Sequence, residues 1–255
     1  MTYKSSFDSL LIILFSMFLV FGTIGCSKDD EVEEMEEEME EEMEEEEMNT
    51  CTSGELYIEK VGLVRVDIKN PSSTPNDWET ETLFAGFEGD GYLIWKGEDN
   101  FSTPGKGVMS FSVKITNPGT YQFVWRSRIG TGDSNTEHND SWLRIPIAAD
   151  FYGEKASTGE RVYPKGSGKT PNPEGASKDG WLKAYMNRLG EWFWRSTTND
   201  RDPFNIFAQF DSAGTYDIEI SGRSKFHALD QFVLFRTDKT LSDATSAGLS
   251  EITCK

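Results

Sequence analysis

The chain has 255 residues with 44 acidic and 25 basic side chains, a formal charge of -19, yet residues 27–50 alone carry fifteen acids and one base, a charge of -14. Residues 51–255 nearly balance at -5 and are rich in aromatic side chains, which excludes wholesale disorder and suits one large domain with a substantial core. No basic stripe exists, and the acidic run repels phosphate, so nucleic acid is excluded as a partner.

Residues 1–25 read as a targeting segment rather than as fold. Lys4 supplies a positive start, Asp8 runs against the pattern, and residues 10–21 are apolar except for Ser16. That run is too short to span a bilayer comfortably. Thr23-Ile24-Gly25-Cys26 places a small residue directly before a lone cysteine and resembles the lipobox of bacterial lipoproteins. The resemblance implies that Cys26 becomes the lipidated first residue of the mature chain, where several acyl chains anchor more stably than one. The alternative is an ordinary secretory signal with an incidental cysteine. Ser27-Lys28-Asp29-Asp30-Glu31 resembles the export signal of surface lipoproteins in Bacteroidetes-type bacteria, which implies an outer-membrane anchor and display toward the medium.

Residues 31–48 are nearly all glutamate, with Met35, Met39 and Met43 four apart and Met48 beyond them. The spacing is helical and allows a Met-lined partner helix. Like charges at i,i+4 oppose a helix, however, and so dense a run favours a solvated spacer. Extended at about 3.3–3.6 Å per residue, it reaches tens of ångströms. Residues 26–50 are thus read as lipidated cysteine plus acidic spacer, and 51–255 as the folded domain.

Of three cysteines, Cys51 opens that domain and Cys254 is the penultimate residue. Exported proteins live where disulfides persist, so a Cys51–Cys254 bridge is expected to tie the ends of the domain together, for about 4–5 kcal/mol in the chain-entropy picture. Two free thiols are the alternative.

Within the domain, Met109, Phe111, Val113 and Ile115 alternate with polar residues, a turn at Asn117-Pro118-Gly119-Thr120 follows, and Tyr121, Phe123 and Trp125 alternate again, which reads as a hairpin. Tyr216, Ile218 and Ile220 repeat the pattern behind Ser212-Ala213-Gly214. Weaker strand signals cover 63–68, 92–95, 142–147, 191–195, 204–210 and 229–236. No long helical period occurs. Many short strands without helical crossovers predict an all-β, antiparallel sandwich. Two polar stretches, 130–140 and 153–180, interrupt it, and loops of that length are usually functional or mobile.

Gly62-Leu63-Val64-Arg65-Val66-Asp67, Trp78 and Gly89-Asp90-Gly91-Tyr92-Leu93-Ile94-Trp95 resemble the opening of family 6 and related carbohydrate-binding modules. Pro118-Gly119-Thr120-Tyr121 leading to Arg126, then Ala213-Gly214-Thr215-Tyr216 and Leu229-Asp230-Gln231-Phe232-Val233-Leu234, continue the likeness over most of 62–236. It implies a galactose-binding-like jelly-roll β-sandwich that binds glycan without covalent chemistry. Family members usually carry Glu-Ala-Glu in the first strand, whose acids help hold a structural calcium. Here the triplet is Asp67-Ile68-Lys69, which leaves Asp67 and Asp230 as the remaining metal candidates at a site that needs six to eight oxygens. No other cofactor is expected.

Sugars need flat rings for their C–H faces and fixed polar groups for their hydroxyls. Of seven tryptophans, Trp95 and Trp125 sit in apolar strands and read as core. Trp181, Tyr185, Trp192 and Trp194 are the candidate platforms, with cover for one end of the sandwich as their alternative role. His138, Asn139, Arg126 and Arg128 are the candidate polar partners, the arginines suiting an anionic group. The expected function is capture of polysaccharide by a surface-displayed, lipid-anchored protein. A lyase or hydrolase on the same sandwich and a protein-binding adhesin remain as alternatives. His138 beside Asp140 is the one cluster suggestive of acid–base chemistry.

Overall fold

The computed structural model describes residues 51, 54–71 and 77–255. Cys26 and the Glu-rich segment lie outside them. The described residues form seventeen strands and one short helix. Two packed layers make a β-sandwich, antiparallel except for the parallel pairing of β1 (Glu55–Ile58) with β5 (Met109–Ile115).

The first layer runs from β17 (Ile252–Cys254) through β1, β5, β15 (Gly214–Gly222) and β7 (Asp140–Arg144) to β11 (Trp181–Tyr185). The second is built on β6 (Gly119–Ile129), which pairs with β14 (Phe204–Phe210) on one edge and β16 (His227–Arg236) on the other. β16 then pairs with β2 (Leu63–Asp67) along one half and β4 (Tyr92–Trp95) along the other. The period-two residues behave as their pattern demands. Phe111, Val113, Ile218 and Ile220 of the first layer and Phe123, Trp125, Phe232 and Leu234 of the second are all buried in one core. The rings of Phe111 and Phe232 meet 5.3 Å apart across the interface.

Cys51 and Cys254 are bonded, with Cα atoms 5.1 Å apart, as the cysteine count suggested. β17 lies beside β1 with Cys254 opposite Glu55, so the two ends of the domain share one edge. The helix α1 (Leu241–Ser246), unforeseen from the hydropathy pattern, starts at a capping box in which Thr240 and Asp243 satisfy each other's backbone N–H.

One feature of the fold positions the site directly. Trp95 is buried between Gly97 and Gly222, where a Cβ would lie 2.2 and 2.3 Å from the indole. No larger residue fits at either place. The close approach draws the loop after β4 against the chain leaving β15, and Asn100 N–H donates to the Arg223 carbonyl at 2.7 Å.

Candidate functional site

Strand alternation on β11 turns Leu182 and Ala184 inward and Trp181, Lys183 and Tyr185 to the outer face of the first layer. Register sets Lys183 beside Trp142 and Tyr185 beside Asp140, while β15 places Ser221 on the other side of Trp142. Six loops contribute to the walls around that end of the face and border a cleft of about 1020 Å³, the size of a small-ligand site.

At its floor the Arg223 guanidinium lies between two rings, 5.0 Å from Phe101 and 4.9 Å from Trp142, a stacking that suits its planar, weakly hydrated charge. Arg223 Nη1 donates to Asp140 Oδ2 at 2.5 Å, and Ser224 Oγ donates to Asp140 Oδ1 at 2.6 Å. Lys183 is buried, pairs with Asp200 and sits 5.0 Å from the centre of the Tyr185 ring. Tyr185 Oη donates to the Asn199 carbonyl at 3.2 Å, and burial pushes its hydroxyl pKa up. His138 Nδ1 donates to the Lys225 carbonyl at 2.7 Å, and Asn139 Nδ2 to the Met186 carbonyl at 2.7 Å. Every one of these groups is held by a second contact, so the cleft is preorganised rather than assembled on demand.

The backbone points the same way. Among the described residues seven non-glycine positions have left-handed φ, and three of them line this cleft: His138 at 53°, Asn199 at 66° and Arg201 at 65°. Each such position costs on the order of 1–3 kcal/mol and tends to persist where function uses it. Phe101, at the mouth, is 54% exposed. Its loop is pinned on both sides, because Trp142 Nε1 donates to the Asn100 carbonyl at 2.8 Å and Asp99 accepts the Lys225 N–H at 2.8 Å.

The residues singled out from sequence do not all meet here. His138, Asn139 and Tyr185 do, although Tyr185 is only 6% exposed and presents an edge rather than a bare face. Trp181 is a correction: it is 3% exposed, covered by the Arg144 guanidinium 4.4 Å above the ring, which Glu219 holds in turn at 2.6 Å. Trp192, Trp194, Arg126 and Arg128 lie on the outer face of the second layer, since Arg126 and Arg128 alternate with inward Trp125 and Ser127 on β6 and Trp194 pairs with Arg126. There Trp192 packs edge-on against Tyr92 at 4.9 Å, and Trp194 packs on Val124, Val233 and Phe235. Arg126 pairs with Asp230 and donates to the Gly86 carbonyl at 2.6 Å. Arg128 stacks 4.7 Å from Phe84. Both arginines are thus committed to the protein, and the candidate platforms divide between opposite faces of the sandwich.

The calcium candidates are also corrected. Asp67 lies 3.7 Å from Lys69 Nζ, and Asp230 is held by Arg126 and the Glu88 N–H at 3.2 Å. Each carboxylate thus faces a cationic side chain of the protein, which competes with a metal ion for its oxygens. Burial nonetheless pushes the Asp230 carboxyl up to about 6, against the lowering effect of Arg126.

Sequence reasoning overlooked Phe101, Lys183, Asp200, Arg201 and Arg223. Two signals were available: a single lysine at the centre of the otherwise apolar run from Trp181 to Tyr185, and Phe101 alone among polar neighbours in Glu98-Asp99-Asn100-Phe101-Ser102.

No family model matches the sequence, and no curated protein does. Among solved structures, a family 35 carbohydrate binding module from Clostridium thermocellum is 15% identical with a TM-score of 0.39, over 69% of this chain and 98% of the module. A family 6 carbohydrate-binding module from Clostridium cellulolyticum, in complex with xylose, is 14% identical with a TM-score of 0.33, over 66% of this chain and 93% of that one. A GH26-CBM35 β-(1,4)-mannanase from Podospora anserina is 11% identical with a TM-score of 0.42 over 71% of this chain, which spans only 29% of that enzyme.

Proposed function

We propose that this protein captures glycan in the first-layer cleft without covalent chemistry, and that lipid on Cys26 and the acidic spacer hold it at the outer membrane, facing the medium. The observation that carries the reading is the pairing of an exposed ring, Phe101, with a floor of rigidly held donors and acceptors. A sugar offers an apolar C–H face and a rim of hydroxyls, and this arrangement answers both. Trp192 and Trp194 are partly buried and each is packed against its own layer on the opposite face, away from these donors, which makes them secondary.

Catalysis on the same site is disfavoured by one observation. The buried carboxylate of the cleft, Asp140, is bound by Arg223 and Ser224, and Asp99, Glu137 and Glu174, without an ion pair among the described residues, stand exposed at the rim, whereas hydrolysis or elimination needs an acid–base group held at the bond that breaks.

The test is a panel of polysaccharides presented to the detergent-solubilised full chain. Retention without new reducing or unsaturated ends is the expected outcome, and product formation overturns the non-catalytic reading. Phe101→Ala is expected to weaken retention roughly tenfold, about 1.4 kcal/mol of lost stacking and burial, while leaving thermal unfolding unchanged because more than half of the ring is in solvent. Unaltered retention in that variant moves the site elsewhere. The anchor is checked separately: Cys26→Ala is expected to shift the protein from the membrane to the soluble fraction of the producing cells.

A further inference from the structure

The charges around the cleft are unequal in a way that bears on which glycan it takes. Five carboxylates and three cations line it. Two of the cations are already spent within the protein, Arg223 on Asp140 and Lys183 on Asp200. What remains toward solvent is Asp99, Glu137 and Glu174, all exposed, against Arg201, which forms no ion pair among the described residues. The backbone N–H that Asp99 accepts from Lys225 leaves its charge in place.

We infer that the cleft selects uncharged glycan and turns away chains bearing uronate or sulfate. The inference rests on the glycan-binding reading and deepens it. An incoming anion meets three like charges and one free cation at the mouth, and the cations of the floor offer it hydrogen bonds without net attraction. It must also shed water to reach them. The mildly acidic domain adds to the repulsion, which salt screens beyond about 8–10 Å. An uncharged sugar pays none of this and still finds the Phe101 ring and the fixed polar groups.

The experiment takes whichever uncharged polysaccharide of the panel the full chain retains and compares it with the same polymer oxidised at C6 to carry carboxylates. At low ionic strength the oxidised polymer is expected to bind at least tenfold more weakly. The gap is expected to narrow several-fold in half-molar salt. It is also expected to narrow at low salt in E137Q/E174Q, two exposed positions whose replacement does not threaten the fold. Equal or tighter binding of the oxidised polymer overturns the inference. So does a deficit that neither salt nor E137Q/E174Q changes, since that reports loss of the C6 hydroxyl rather than charge. Retention of anionic polymers alone overturns the inference and leaves glycan capture standing, whereas retention of no polysaccharide of the panel overturns both.

Discussion

Replacing Cys51 and Cys254 together by serine is expected to lower the stability of the folded domain by about 4–5 kcal/mol, which for a domain of this size is a fall of roughly 10–20 °C in Tm. The bridge joins residues 203 apart in the chain, so the unfolded state it constrains is nearly the whole domain. Among the described residues β17 pairs in ladder register only with β1, three residues opposite three, and it is exposed along its length. Loss of the bridge therefore adds local fraying to the entropic effect, and amides of β1 and β17 are expected to lose hydrogen-exchange protection before those of β6 and β16. The cleft stands on β7, β11 and β15, so glycan retention below the new Tm is expected to survive. Denaturant unfolding of the bridged and serine forms checks the magnitude. A difference under about 1 kcal/mol would show that the ends are held by packing instead.

Acid has the second large effect, through His227. Its ring is fully buried, 5.4 Å edge-to-face from Trp125, with Nδ1 hydrogen-bonded to Ser141 Oγ at 2.8 Å and Nε2 without a partner among the described residues. Burial penalises the imidazolium and holds the pKa down at about 3, against 6.5 for a free histidine. The folded state thus binds fewer protons than the unfolded one between those values. Stability is fully present above pH 6.5 and drains as pH falls toward 3, at up to about 1.4 kcal/mol per pH unit and about 4–5 kcal/mol in all. Asp230 works in the opposite sense. Its folded pKa of about 6 lies above the ordinary 3.8, so acidification from 6 to 3.8 relieves the cost of a buried carboxylate. The difference between wild type and His227→Gln cancels that background. Wild type is expected to lose stability relative to the variant as pH drops from 6.5, and the imidazole nitrogens are expected to stay neutral by NMR down to about pH 4. Superimposable acid limbs, or a ring that titrates near 6, sink the argument.

How much of this was legible beforehand differs by element, for physical reasons. The run 109–115 became β5 without a residue's change, and 216–221 became the centre of β15. In both, one face meets the core and the other water, so burial writes its period into the sequence. β11 was not foreseen. Its outer face is roofed by loops and by Arg144, so all five residues are buried and the polar half of the alternation is nearly erased. The run 191–195 shrank to the two-residue β12 (Phe193–Trp194), the pair that lies in ladder register with Ser127 and Arg126 of β6. Trp181 was misjudged for a related reason: whether an indole is bare depends on what lies over it, and the residue over it is thirty-seven positions away in the chain. The polar stretch 130–140 did become a wall of the cleft, and His138 and Asn139 with it.

From the sequence alone came the all-β class, the bridge between the domain's two ends, and the contrast in charge between a Glu-rich run and the weakly acidic residues 51–255. These follow from period, spacing and charge, which are properties of neighbours along the chain. The choice of Phe101, Lys183, Tyr185 and Arg223 as one site, and the dispatch of Trp192 and Trp194 to the far side, were decided only by tertiary structure. The register of β7 against β11 and β15, and the tight passage of two glycines past Trp95, bring together groups more than a hundred residues apart, and no local pattern records such a meeting.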